Sequence, residues 1–141
     1  MADMFSSSQR SENMRRIRST DTGPEKAVAK ALKKAGLRYV RYSQELPGKP
    51  DFIIRDAGRA IFVHGCFWHQ HDNCSRKFMP KSRRSYWRNK LQGNVRRFKD
   101  VSRELKEKGW RVSVVWECQT KEADPLIRKV SRYGAKKRDP V

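Results

Sequence analysis

The feature that most constrains the fold is a short apolar run, Ala60 to Val63, which no polar residue interrupts. A strand with one face in water alternates apolar and polar residues, so a continuous apolar run indicates a strand that is buried on both faces. Such strands lie in sheets that helices cover on both sides. Because the run is followed by His64, the sequence predicts a central strand that delivers a histidine at its end.

The remaining pattern predicts an α/β domain with a mixed central sheet flanked by helices. A first helix is predicted from Thr22, where a capping box and an early proline coincide, to Gly36. Apolar residues at helical spacing from Ser85 to Lys108 predict one long helix, or two with a break at Gly93. Further strands are predicted at 39–42, 51–55 and 112–116, and a last short helix opens at 124–125.

Length and charge limit the class of protein. A chain of 141 residues suits one main domain, here residues 21–133, with a basic N-terminal segment at 1–20 and a basic tail at 134–141. The chain has 34 Lys and Arg against 15 Asp and Glu, and a net charge of +19 favours a polyanion such as nucleic acid as the partner. No apolar run approaches the roughly 18 residues of a membrane span. We therefore expect a soluble protein of the reducing cytoplasm.

The cysteines indicate a metal site. Cys66, His71 and Cys74 are close enough in sequence for one loop to direct three ligands at one ion, and Cys118 would be the fourth. A closed Cys3His set is typical of structural zinc. The alternative is that Cys66 and Cys118 are small buried thiols and His71 is a polar surface residue.

Four residues could carry phosphodiester hydrolysis. Asp51 can hold a divalent cation, and His64 or His69 can act as the base for an attacking water, while Glu25 is a second acid that faces the sheet. Each has a simpler alternative. Glu25 also completes the capping box, Asp51 could enter a strand as a turn residue, and His64 could be a core histidine.

Residues 76–111 predict a DNA-binding surface. They contain fourteen Lys and Arg but only three acids, so phosphate contacts should dominate affinity. Flat aromatic side chains among these charges can stack on bases: Phe67, Trp68, Tyr86 and Trp87. Trp87 also begins a helical apolar stripe, so a core position is equally compatible with its spacing.

These motifs together resemble the very short patch repair (Vsr) mismatch endonuclease family. The resemblance covers roughly residues 10 to 118. The matching segments are Arg10 to Met14, Asp21-Thr22 with Glu25, Leu46 to Phe52, Phe62 to His71, Trp87 with Lys90 and Asn94, Gly109 to Val112, and Trp116-Glu117-Cys118.

The resemblance implies a restriction-endonuclease-like fold and a Mg²⁺-dependent enzyme that nicks one strand next to a T:G mismatch left by deamination of 5-methylcytosine. Asp51 and the backbone carbonyl of Val63 would bind Mg²⁺, with His69 as the general base. The remaining roles carried over by position are His64 and Glu25 in the catalytic site, Cys66, His71, Cys74 and Cys118 as Zn²⁺ ligands, and Met14, Phe67, Trp68, Trp87, Lys90 and Asn94 as DNA contacts. We expect a monomer acting on double-stranded DNA in the bacterial cytoplasm, with mismatch-repair proteins as further candidate partners.

Two positions depart from the family. The spacing from His71 to Cys74 is one residue wider than in relatives, and Phe98 stands where relatives carry an acid. The loss of that acid leaves two alternatives open. One is a zinc-stabilised DNA-binding protein with weakened catalysis, and the other is a related nickase with a different specificity.

Overall fold

The computed structural model describes residues 22–135, and Met14, the segment 1–20 and positions 136–141 of the tail lie outside this range. The order of helices and strands within it is the predicted one. The helices are α1 (Gly23–Lys34), α2 (Arg84–Glu107) and α3 (Ala123–Ser131), and the strands are β1 (Val40–Arg41), β2 (Phe52–Ile54), β3 (Arg59–His64) and β4 (Arg111–Trp116). No helix in the described range is long and apolar enough to cross a membrane.

The four strands form one mixed sheet in the order β1-β2-β3-β4. The pairs β1–β2 and β2–β3 are antiparallel, whereas β3 and β4 run parallel, from Arg59 opposite Arg111 to His64 opposite Trp116. Helix α2 is part of the connection between β3 and β4, as parallel neighbours require. The predicted mixed α/β architecture is confirmed, and the ends of β3 and β4 lie side by side.

The central strand β3 is buried on both faces, as its apolar run predicted. Ile61 packs in a cluster with residues of α1 and α3, while Ala60 and Phe62 pack in a second cluster with Leu105 of α2. Alternate residues of a strand point to opposite faces, so α1 and α3 cover one face of the sheet and α2 covers the other. Because His64 has the same parity as Phe62, it lies on the α2 side.

Three details differ from the sequence prediction or decide between its alternatives. Residues 84–107 form a single helix that passes through Gly93 without a break. Strand β4 is less buried than expected, since within it only Ser113 and Val115 are buried. Gly134, which the sequence places at the start of the tail, closes a 3-10 turn, and a Cβ there would lie 2.3 Å from Leu37.

Candidate active site and metal centre

The first group of the site is a pair of acids at the start of β2 and of α1. Asp51 directly precedes β2, and its Oδ2 accepts a hydrogen bond of 2.7 Å from the N–H of Val63. Burial raises the pKa of Asp51 to about 7, and the neighbouring Glu25 carboxylate contributes to the same shift. Two carboxylates in one partly buried place are the hard oxygen donors that a divalent cation needs.

Glu25 completes the capping box and also turns its carboxylate toward the sheet. Its Oε2 accepts a hydrogen bond from the N–H of Thr22, whose Oγ1 accepts one from the N–H of Glu25, which completes the capping box. The same Oε2 accepts hydrogen bonds from the Tyr42 hydroxyl at 2.8 Å and from the Arg41 guanidinium at 3.3 Å. These contacts hold a buried carboxylate toward the sheet, next to Asp51.

The second group is a stacked pair of histidines. The rings of His64, at the end of β3, and His69 lie 3.7 Å apart and are nearly parallel, at 6°. Burial lowers the pKa of His64 to about 3, with a contribution from His69, and burial lowers the pKa of His69 to about 4, with a contribution from Arg97. Both imidazoles are therefore neutral at neutral pH. Among the described residues, neither Nδ1 atom has a hydrogen-bond partner.

The Phe98 side chain covers the histidine pair from the α2 side. Its ring meets His64 edge-on at 4.4 Å and Phe62 at 5.2 Å. Phe98 thus lies beside the imidazoles and helps to exclude water from them.

These groups meet at one cleft of about 440 Å³. Glu25, Val63, His64 and His69 line the cleft, and Asp51 adjoins it through its hydrogen bond to Val63. The residues that the sequence proposed for catalysis are therefore neighbours. An acid pair for a cation and a neutral imidazole for a proton are what hydrolysis of a phosphodiester requires.

A separate cluster holds the four predicted sulfur and nitrogen ligands. One ligand atom from each of Cys66, His71, Cys74 and Cys118 can be chosen so that all lie within 4.8 Å of one another. Zinc–sulfur bonds of about 2.3 Å in a tetrahedron separate the ligand atoms by roughly 3.8 Å, so the spacing fits such an ion. The imidazole of His71 also stacks on Trp116 at 4.1 Å, which fixes its orientation.

The cluster joins the loop after β3 to the loop after β4. The N–H of Cys118 donates to the Cys66 sulfur at 3.4 Å, and the N–H of Cys66 donates to Glu117 at 3.4 Å. Burial raises the pKa of the Cys66 thiol to about 12, so a cation is needed to keep that sulfur as a thiolate. The closeness of the four ligand atoms, and not this pKa, indicates a metal centre.

The aromatic residues proposed as DNA contacts also lie together. Phe67, Trp68 and Trp87 are in mutual ring contact, with centroids 5.1–5.8 Å apart. The side-chain amide of Asn94 donates to the carbonyl of Trp68 at 3.1 Å, and Lys90 places its ammonium 5.8 Å from the Trp68 ring. Trp87 is only partly buried, so its surroundings differ from those of a core residue.

Sequence reasoning missed several residues that the structure adds to these sites. Tyr42 and Arg41 hold Glu25, and Glu117 lines the cleft next to the metal ligands. Phe78 joins the aromatic group. Only Phe78 had a sequence signal, since it is an aromatic residue in a loop rich in Lys and Arg. The others depend on contacts between distant parts of the chain.

Comparison with known proteins agrees with the geometry. A family model described as DNA mismatch endonuclease Vsr matches residues 2–76. The DNA mismatch endonuclease Vsr of Escherichia coli strain K12 is 42% identical over 127 residues, which cover 89% of this chain and 80% of that protein. The type II nicking enzyme V.XorIIP of Xanthomonas oryzae pv. oryzae is 40% identical over 89% of this chain and 92% of its own length. The type II nicking enzyme V.NmeAIP of Neisseria meningitidis serogroup A is 36% identical over 100% of both chains.

Proposed function

Because the chain belongs to the Vsr DNA mismatch endonuclease family and is a strand-nicking nuclease of DNA repair, we propose that its substrate is a duplex with a T:G mismatch and that the reaction requires Mg²⁺. The observation that carries this proposal is the convergence of Glu25, Val63, His64 and His69 on one cleft beside Asp51. Deamination of 5-methylcytosine would create the mismatch, and the nick would open the way for repair synthesis.

In the proposed mechanism Asp51 and the Val63 carbonyl would hold Mg²⁺, and the ion would supply positive charge to neutralise the charge that develops on the phosphate oxygens. His69 takes the proton from the attacking water, since its imidazole is neutral at neutral pH. His64 stacks against it and fixes the ring, while Glu25 adds negative charge next to Asp51.

We also propose a structural zinc site and a restriction-endonuclease-like fold. A Zn²⁺ ion on Cys66, His71, Cys74 and Cys118 would fasten the loops after β3 and β4 and play no part in the chemistry. An acid at the head of β2 beside a helix-covered mixed sheet supports a restriction-endonuclease-like fold.

We further propose the oligomeric state, the location and the partners of the protein. All candidate catalytic and zinc-binding residues come from one chain, which supports a monomer. We place it in the bacterial cytoplasm with its DNA, where mismatch-repair proteins are candidate partners. Met14 and the basic segment 1–20 would contact DNA, as would Phe67, Trp68, Trp87, Lys90 and Asn94, and residues 134–141 would remain a basic tail.

A nicking assay tests the function. Two labelled duplexes that differ only in a T:G mismatch or a T:A pair are incubated with the protein and Mg²⁺, with Asp51→Ala as the matched control. We expect one strand of the T:G duplex to be cut by the wild type and neither strand by Asp51→Ala. Undiminished cutting by Asp51→Ala would contradict the assigned chemistry, and equal cutting of both duplexes would contradict the T:G specificity.

One observation favours a second candidate, a zinc-stabilised DNA-binding protein with weakened catalysis. Phe98 places an apolar ring against His64, at the position for which the family resemblance implies an acid. The same assay separates the candidates, because such a protein binds the T:G duplex without cutting it.

A further inference from the structure

Five aromatic side chains form one continuous group on the surface, which we call the aromatic platform: Phe67, Trp68, Phe78, Tyr86 and Trp87. Phe78 extends it through its contact with Phe67, since the two rings stack with centroids 4.6 Å apart and planes at 27°. The Phe78 side chain nevertheless remains 56% exposed, and Tyr86 remains 44% exposed. The outer edge of the platform is thus apolar and open to solvent.

The position of Phe78 is defined by the loop that carries it. The N–H of Lys77 donates to the carbonyl of Cys74 at 3.0 Å, and the Lys77 ammonium pairs with Asp72 at 2.8 Å. These contacts tie the residue before Phe78 to the metal cluster. The stack on Phe67 orients the Phe78 ring before any ligand binds, which lowers the entropic cost of ordering it in a complex.

The charges around the platform select the kind of partner. The Arg83 guanidinium lies over the Tyr86 ring at 4.5 Å, and the Lys90 ammonium is 5.8 Å from the Tyr86 centroid. Two further cations lie in the same segment of the sequence, Lys81 and Arg84. Aromatic faces interleaved with cations fit the bases and phosphates of a nucleic acid.

We propose that Phe78 is a further DNA-contacting residue, whose ring stacks with Phe67 against bases beside the mismatch. This inference rests on the proposed function only for where the contact lies on the DNA, beside the mismatch. The contact of Phe78 with a base does not depend on it. Stacking on a base adds apolar burial without a phosphate contact, so Phe78 contributes affinity that does not depend on salt.

Binding of labelled duplexes without added Mg²⁺ tests the proposal while no strand is cut. The probes are the T:G and T:A duplexes of the nicking assay, and the proteins are the full-length wild type, Phe78→Ala, Phe78→Leu and Phe78→Trp. We expect Phe78→Ala and Phe78→Leu to weaken binding of the T:G duplex about tenfold, and Phe78→Trp to restore it. The slope of log Kd against log salt should stay the same in every variant.

Val40→Ala is the matched control, because Val40 is also a large exposed apolar residue, 41% exposed, but lies on strand β1 and outside the platform. It should bind both duplexes as the wild type does. Wild-type affinity in Phe78→Ala, or in Phe78→Leu, would overturn the proposal, since an aromatic stack would then contribute nothing. If the wild type binds DNA but nicks no mismatch, the proposed function fails while the Phe78 comparison still decides this inference.

Discussion

At the scale of single residues, the protonation of Asp51 should couple cation binding to pH. Its pKa of about 7 lies above the unfolded value of 3.8, so without a cation the native state loses stability as pH rises from about 4 through 7. A bound cation favours the carboxylate. The increase in melting temperature on adding Mg²⁺ should therefore be small near pH 6 and larger near pH 8. Asp51→Asn should remove this pH dependence, and an increase equal at both pH values would contradict the assigned ligand.

A second prediction for a single residue concerns the effect of Phe98 on the pKa of His64. Burial keeps the pKa of His64 at about 3, and the Phe98 ring contributes to that burial. In Phe98→Asp, a carboxylate and the water that accompanies it should raise the pKa of His64 toward about 6.5. Histidine titration by NMR measures the shift, and Phe98→Leu, which keeps an apolar side chain, should leave the pKa low. An unchanged pKa in Phe98→Asp would show that Phe98 does not control the pair.

At the scale of elements, the turn before β2 is under steric restraint. Gly48 has φ +76°, and a Cβ there would lie 2.4 Å from Cγ1 of Val101 in α2. Gly48→Ala should lower the free energy of unfolding by about 1–3 kcal/mol, through backbone strain and overpacking. Gly36→Ala is the matched control, since Gly36 has φ +75° but open space around it. Denaturant unfolding measures both, and an equal loss would mean that the contact with Val101 adds nothing.

The proposed zinc site at Cys66, His71, Cys74 and Cys118 leads to a prediction about the ends of β3 and β4. Purified protein should contain about one equivalent of zinc, and Cys118→Ala should lose the ion and melt at a lower temperature. His69→Gln is the control, because His69 lies in the same loop as Cys66, His71 and Cys74 but outside the cluster, so its zinc content should be unchanged. Zinc-free wild type that melts at the same temperature as zinc-containing protein would contradict the assignment.

The sequence could predict helices and strands, but not the side-chain contacts between them. The apolar run at Ala60 to Val63 and the capping box at Thr22 act locally, so β3 and α1 could be predicted. The ligand set of Cys66, His71 and Cys74 could be predicted because it lies within one loop. The contact of Phe98 with His64 and that of Tyr42 with Glu25 could not, since each depends on how two elements pack.

At the scale of the whole molecule, the charge of +19 should make DNA affinity strongly dependent on salt. The two sides of the sheet should contribute differently to this salt dependence, because α2 carries most of the basic segment 76–111. Arg88→Ala on α2 should reduce the slope of log Kd against log salt by about 1, whereas Lys34→Ala on α1 should leave it unchanged. Equal effects would contradict a DNA contact that is confined to the α2 side.

The loop after β3 links the cleft to the aromatic platform with little freedom. His69 and His71 donate backbone hydrogen bonds to Gly65 and Cys66, at 3.1 and 2.9 Å, and Phe67 and Trp68 lie between these bonds. If DNA binds as proposed, the distance between the scissile phosphate and the stacked bases would be set by the protein rather than by the DNA sequence. Cleavage products should end at a single nucleotide offset from the mismatch, whatever bases flank it.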